Sequence, residues 1–187
     1  FLDAMRPETR AILIANPSVT LASVVADSLV AMYNPQLATW RTSPAANEME
    51  RHTLAWLAGK LGLPADHAAN FTSGGAEANL SAVIAALTRT FPAYGDGGVR
   101  ALAGAPTFYV TGEAHHSFGK IAHMTGLGRH AVRTVATDAS LRMEVDDLAR
   151  RVAEDRRAGC APFLVVGTAG TTAAGAIDPL PALARYC

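Results

Sequence analysis

The sequence predicts an α/β fold: a mostly parallel sheet flanked by helices, present here in incomplete form. Three observations carry that prediction. Extended and helical patterns alternate regularly from about residue 107 onward, the signature of strands joined by crossover helices. Residues 163–168 (FLVVGT) open on a continuous apolar run, as expected of a strand buried on both faces. Loops of small and polar residues fall at 73–76, 111–115 and 168–172, next to extended segments, and parallel sheets bind ligands at the carboxyl ends of their strands.

The elements follow in order. Residues 21–33, LASVVADSLVAMY, are apolar almost all round and predict a buried helix. Ser43 and Pro44 supply an N-cap and a first-turn proline for a second helix reaching about Leu61. Within it Leu54, Leu57 and Leu61 recur at helical spacing, and Gly62 with Pro64 stops it. A short extended piece at 70–72 precedes a glycine turn and a helix from about Glu77 to Thr90. Residues 92–105 (PAYGDGGVRALAGA) read as a surface loop. A strand at 107–110 then leads to a helix from about His116 to Met124. A second strand at 131–135 leads to a helix from about Val145 to Ala158, with Asp147, Arg151 and Glu154 on its outer face. The strand at 163–168 runs into Gly170, Thr171 and Thr172, and Asp178 with Pro179 is expected to cap a last helix.

Composition narrows the function classes. Half of the 187 residues are apolar, and 16 Lys and Arg balance 16 Asp and Glu, so nothing electrostatic points to nucleic acid or an acidic membrane surface as partner. No run approaches the length of a membrane span. Cys160 and Cys187 are too few for a disulfide framework, and no Cys/His spacing suggests a metal site. A cytoplasmic protein is the expectation.

Three motifs carry chemistry. Thr72-Ser73-Gly74-Gly75-Ala76-Glu77-Ala78-Asn79 bares backbone N–H groups at a helix start, where both the open donors and the helix dipole favour a phosphate. An ordinary glycine turn is the alternative. Gly112-Glu113-Ala114-His115-His116-Ser117 places a histidine at a strand's carboxyl end, where an imidazole can lie flat on an aromatic ring; a surface histidine pair is the alternative. In residues 168–180 (TAGTTAAGAIDPL) a buried strand runs into hydroxyls and glycines that approach a ligand closely. Here the alternative is a capping turn, with Thr171 satisfying a loop carbonyl and Asp178 capping the next helix, and for Asp178 it is preferred.

In this order and spacing the three motifs resemble the group II pyridoxal-phosphate-dependent amino-acid decarboxylases, the family of aromatic-amino-acid, glutamate and histidine decarboxylases. The likeness runs from about Pro17 to the C-terminus and includes Ser43-Pro44-Ala45, Glu48-Met49-Glu50 and Leu61-Gly62-Leu63-Pro64. It implies the fold-type I, aspartate aminotransferase-like architecture, with residues 1–42 leading into a large domain of which 43–187 form part. It implies pyridoxal 5'-phosphate as cofactor: Gly74, Gly75 and Ala76 on its phosphate with Asn79 assisting, His115 stacked on its ring, and Thr168 beside it. It also implies decarboxylation of an L-amino acid to an amine and CO2, with His115 as the catalytic residue. A homodimer, a small-molecule amino-acid substrate, and neither nucleic acid nor membrane as partner complete the expectation.

The resemblance further implies an aspartate on the ring nitrogen and a lysine holding the coenzyme covalently. Lys60 and Lys120, the two lysines of the sequence, stand in no matching context, so a fragment inactive by itself is expected. Ile14 and Ala15 stand where aromatic-amino-acid decarboxylases carry aromatics, and Ala38 near another such position, although Trp40 fits. That departure argues against an aromatic substrate. Rival readings are another lyase of the same fold, of the cysteine desulfurase or sphingosine-phosphate lyase kind, a non-catalytic relative, or a nucleotide-binding domain. The last is weak because neither GxGxxG nor GxxxxGK[ST] occurs.

Overall fold

The computed structural model describes residues 19–64 and 66–187, which fall in two compact units divided between Phe71 and Thr72. The departure at Ile14 and Ala15 and the start of the likeness at Pro17 lie outside the described residues.

In the first unit, helix α1 spans Leu21–Tyr33 as the sequence predicts. Thr20 and Ser23 exchange backbone-to-hydroxyl hydrogen bonds at 3.1 Å, closing a capping box, and Asn34 ends the helix in the left-handed region at φ 42°. Its predicted burial does not hold. No residue of α1 is buried, and Leu21, Val24, Val25, Leu29, Val30, Met32 and Tyr33 are exposed. An apolar sequence records the need for a partner surface, and no described part of this unit covers that face. Helix α2, Pro44–Leu61, begins and ends where Pro44 and Gly62 indicate, but Ser43 makes no side-chain cap. Instead the Asn47 side chain donates to the Ser43 and Thr39 carbonyls at 3.0 and 3.1 Å. Of the leucines at helical spacing, Leu57 and Leu61 are exposed, and Ala58 is the buried residue of the helix. Residues 70–72 form no strand; the Phe71 amide donates to the Glu50 carboxylate at 3.0 Å, a side chain occupying the place of a ladder partner.

In the second unit, helix α3 spans Gly75–Thr90, two residues longer at its start than predicted. The expected loop contains a one-turn helix α4, Tyr94–Gly97, and a 3-10 turn, Gly98–Ala101, before strand β1, Ala105–Thr111. Helix α5 (Ser117–Met124), strand β2 (Val132–Val135), helix α6 (Val145–Arg157), strand β3 (Cys160–Val165) and helix α7 (Leu180–Tyr186) follow.

The strands lie in the order β2-β1-β3, both pairings parallel. The central strand is β1, buried from Thr107 to Thr111; the run at 163–168 is not buried on both faces as expected, its strand starting at Cys160 with all six residues half-buried. Pro162 accounts for part of the difference. Proline cannot donate to a ladder, and the β1–β3 register slips beside it, Thr107 facing Pro162 but Phe108 facing Leu164.

Alternation along β1 builds two core layers. Phe108 and Val110 pack with Val83, Leu87, Phe118, Ile121 and Ala122 of α3 and α5. Tyr109 packs on the other face with Val135, Met143, Leu148, Val152 and Leu183. The Tyr109 hydroxyl, buried on that second face, donates to Asp155 at 2.7 Å, and Arg133 holds the same carboxylate at 2.9 Å. Burial pushes the phenol pKa up, away from any acid–base role.

Candidate active site

The chain leaves β1 toward one face of the sheet, into α5, and leaves the adjacent β3 toward the other, into α7, since Phe118 and Leu183 belong to opposite core layers. In open parallel sheets, the carboxyl edge between neighbours whose continuations part in this way is where ligands bind. The loops after β1 and β3 flank it. The N-terminus of α3 reaches the same edge, because the Asn79 side chain on its first turns donates to the Ser117 hydroxyl, the first residue of α5, at 3.0 Å.

The α3 entrance is a bare main chain. Gly74 is extended at φ 170°, a backbone any residue adopts, and a Cβ added at Gly74 or Gly75 would meet nothing within 4 Å. The fold itself thus has no need of glycine at either position; what glycine leaves there is room for a ligand to approach the backbone. Among the described residues the N–H groups of Gly74, Gly75 and Ala76 have no acceptor, and they stand at the positive end of a 16-residue helix. The Ser73 amide and hydroxyl both donate to Glu77, at 2.7 and 2.6 Å, which pins the turn and holds the Glu77 pKa below its ordinary value. A phosphate fits these donors.

His115 and His116 lie exposed just before α5, their ring centroids 4.2 Å apart. The Ser117 amide donates to His115 Nδ1 at 3.2 Å. An accepting Nδ1 carries no proton, so the neutral imidazole is the Nε2–H tautomer. Asn79, Ser117 and His115 form one hydrogen-bonded series joining the glycine turn to the imidazole. Ser117, 3% exposed, is the member that sequence reasoning missed; its place at a predicted helix start, two residues after His115, was the available signal.

Thr168 follows β3 at the same edge, half-buried. Residues 168–178 fold back on themselves through the Ala169–Ile177 bridge, and the Thr171 hydroxyl accepts from the Ala176 amide at 3.1 Å rather than satisfying a carbonyl. The expected helix cap at Asp178 is absent. Its two carboxylate oxygens accept from the Met143 and Thr168 amides, each at 2.7 Å, and Pro179 occupies the capping position of α7. With two loop amides within reach, a buried carboxylate gains more from both than from one helix donor.

The model of the pyridoxal-dependent decarboxylase conserved domain matches residues 3–187. L-2,4-diaminobutyrate decarboxylase of Rhizobium meliloti is 36% identical over 166 residues, which are 89% of this chain and 32% of that protein. Human cysteine sulfinic acid decarboxylase is 33% identical over 172 residues, 92% of this chain and 34% of that protein. Among solved structures, mouse CSAD superposes with a TM-score of 0.89 at 31% identity, covering 92% of this chain and 36% of that one. Tryptophan decarboxylase of Catharanthus roseus, in complex with L-tryptophan, superposes with a TM-score of 0.81 at 26% identity, covering 90% and 36%. The chain spans about a third of the length of the curated relatives it matches.

Proposed function

Because the chain belongs to the pyridoxal-dependent decarboxylase family, we propose that the whole protein removes the carboxylate of an L-amino acid as CO2, leaving the amine, with pyridoxal 5'-phosphate as cofactor. The observation that carries this reading is the hydrogen-bonded series from Asn79 through Ser117 to His115, which couples a bare helix N-terminus to an imidazole at one sheet edge.

In this reading the N–H groups of Gly74, Gly75 and Ala76 bind the phosphate, with Asn79 assisting, and a water-facing helix end becomes a charge-matched seat. When bound, the coenzyme supplies the electron sink that lets the Cα–carboxylate bond break. His115 supplies a flat face whose plane is fixed by the Ser117 amide and whose proton sits on Nε2. Thr168 contributes its hydroxyl from the loop after β3, on the other side of the crevice. Holding the substrate's bonds at a fixed angle to that plane is the main rate contribution expected of these groups.

The same reading makes the protein a cytoplasmic homodimer acting on a small-molecule amino acid, without nucleic acid or membrane. Residues 1–42 lead into the large domain that begins at 43. The apolar side chains exposed along α1 support a protein partner, and no helix among the described residues is long and apolar enough to cross a membrane.

The test is incubation of the full-length protein and pyridoxal phosphate with a panel of carboxyl-labelled L-amino acids. Labelled CO2 from at least one substrate, abolished by borohydride, is expected. No CO2 from any substrate, or sulfide released from L-cysteine in its place, overturns the proposal.

A further inference from the structure

We propose that Asp178 is a positioning residue, whose carboxylate sets the Thr168 side of the crevice against the core; this inference rests on the function proposed above. Asp178 is 5% exposed, so its charge has been taken out of water and must be repaid by donors. Both repayments are main-chain. One oxygen accepts from Thr168 and the other from Met143, each at 2.7 Å, the short distance typical of charge-assisted bonds. The Asp178 amide donates back to the Thr168 carbonyl at 2.9 Å, so residue 168 is gripped at both its N–H and its C=O.

The anchor on the other oxygen is stiff. Met143 is 2% exposed and packs with Tyr109, Leu148 and Leu183, so the carboxylate ties a loop at the strand edge to the core layer beneath the sheet. Gly167 tightens the same joint, because a Cβ there would lie 2.7 Å from Leu180 Cδ2. Thr168 is thus held by residues outside the crevice. Asparagine cannot replace the carboxylate: it offers one acceptor oxygen and turns an NH2 group toward the second amide, setting donor against donor.

The experiment is Asp178→Asn in the full-length holoenzyme, alone and combined with Thr168→Ala. The expected result is a kcat lowered about tenfold or more, as for a modest misplacement near the chemistry, with KM altered less and the visible circular dichroism of the bound coenzyme changed. If Asp178 acts through Thr168, the double variant is no worse than the more damaging single one. Multiplying effects, or an unchanged dichroism with kcat within about twofold of wild type, overturn the proposal. Where Asp178→Asn does not accumulate folded, hydrogen exchange in the wild type decides. Protection of the Thr168 amide comparable to the β1 amides supports the proposal, and exchange at open-loop rates overturns it. His115→Ala separates the two levels. If it leaves turnover and dichroism unchanged, the site reading itself has failed; if it impairs them while Asp178→Asn does not, only the role of Asp178 has.

Discussion

The Ser117 backbone N–H donates to His115 Nδ1 at 3.2 Å, so the first amide of one helix fixes both the tilt and the tautomer of the imidazole before it. His115→Ala removes a group that positions without tethering. We expect the full-length variant to retain measurable coenzyme, since the Gly74–Ala76 donors remain, and to lose roughly 100-fold in kcat. Coenzyme titration alongside turnover checks both halves, and undiminished turnover would remove the role given to His115.

Gly75→Val tests the cradle. Because a Cβ at this position meets nothing within 4 Å, the melting temperature should stay near that of the wild type or rise slightly, valine being a somewhat better helix former than glycine. Coenzyme affinity should fall at least tenfold, about 1.4 kcal/mol, because the side chain fills the space a phosphate needs. Equal losses of stability and affinity would point instead to a backbone requirement for glycine.

Thr111 closes β1 with a hydroxyl that is buried and has no hydrogen-bond partner among the described residues. Valine keeps the branched shape and deletes the orphaned oxygen. Thr111→Val should therefore be neutral or stabilising by up to about 1 kcal/mol, read as a rise in the urea midpoint at constant slope. A loss of stability larger than that would mean the hydroxyl has a partner in solution.

Asp147 makes stability acid-sensitive. Its carboxylate accepts from the Ala136 amide at 2.8 Å and pairs with Arg151 and Arg150, which hold its pKa well below the usual carboxylate range. A depressed folded-state pKa contributes stability above the unfolded value, about 3.9, and that contribution is lost as pH falls through the folded value. Asp147→Asn should cost stability at pH 7, and the gap from wild type should shrink as pH drops below about 4. Denaturant unfolding at pH 7, 4 and 2.5 reads the gap; a constant difference would contradict the assignment.

Local signals of two kinds were legible without the fold. Breakers fixed α2, since Pro44 and Gly62 act through their own φ preferences and need no neighbour, and an apolar run marked the extent of α1. Small residues at 74–76 were legible as a bare helix start, because the absence of a side chain is a property of the residue itself. Signals that depend on partners were read less well. The apolar run at 163–166 read as a strand buried on both faces, yet β3 is half-buried throughout while β1 pairs on both sides, and a run's hydropathy does not say what covers it or how many strands flank it.

The sequence by itself determined the limits of α1 and α2, the α/β alternation, and which small residues stand next to strands and helix starts, because those are consequences of dihedral preference and side-chain period along one segment. Only the tertiary structure decided that Asp178 grips Thr168 and Met143 instead of capping α7, and that Ser117 sets the His115 ring. Each of those contacts joins residues through space, and a carboxylate or an amide takes whichever partner the packing of distant segments brings within 3 Å or so, about the length of a hydrogen bond.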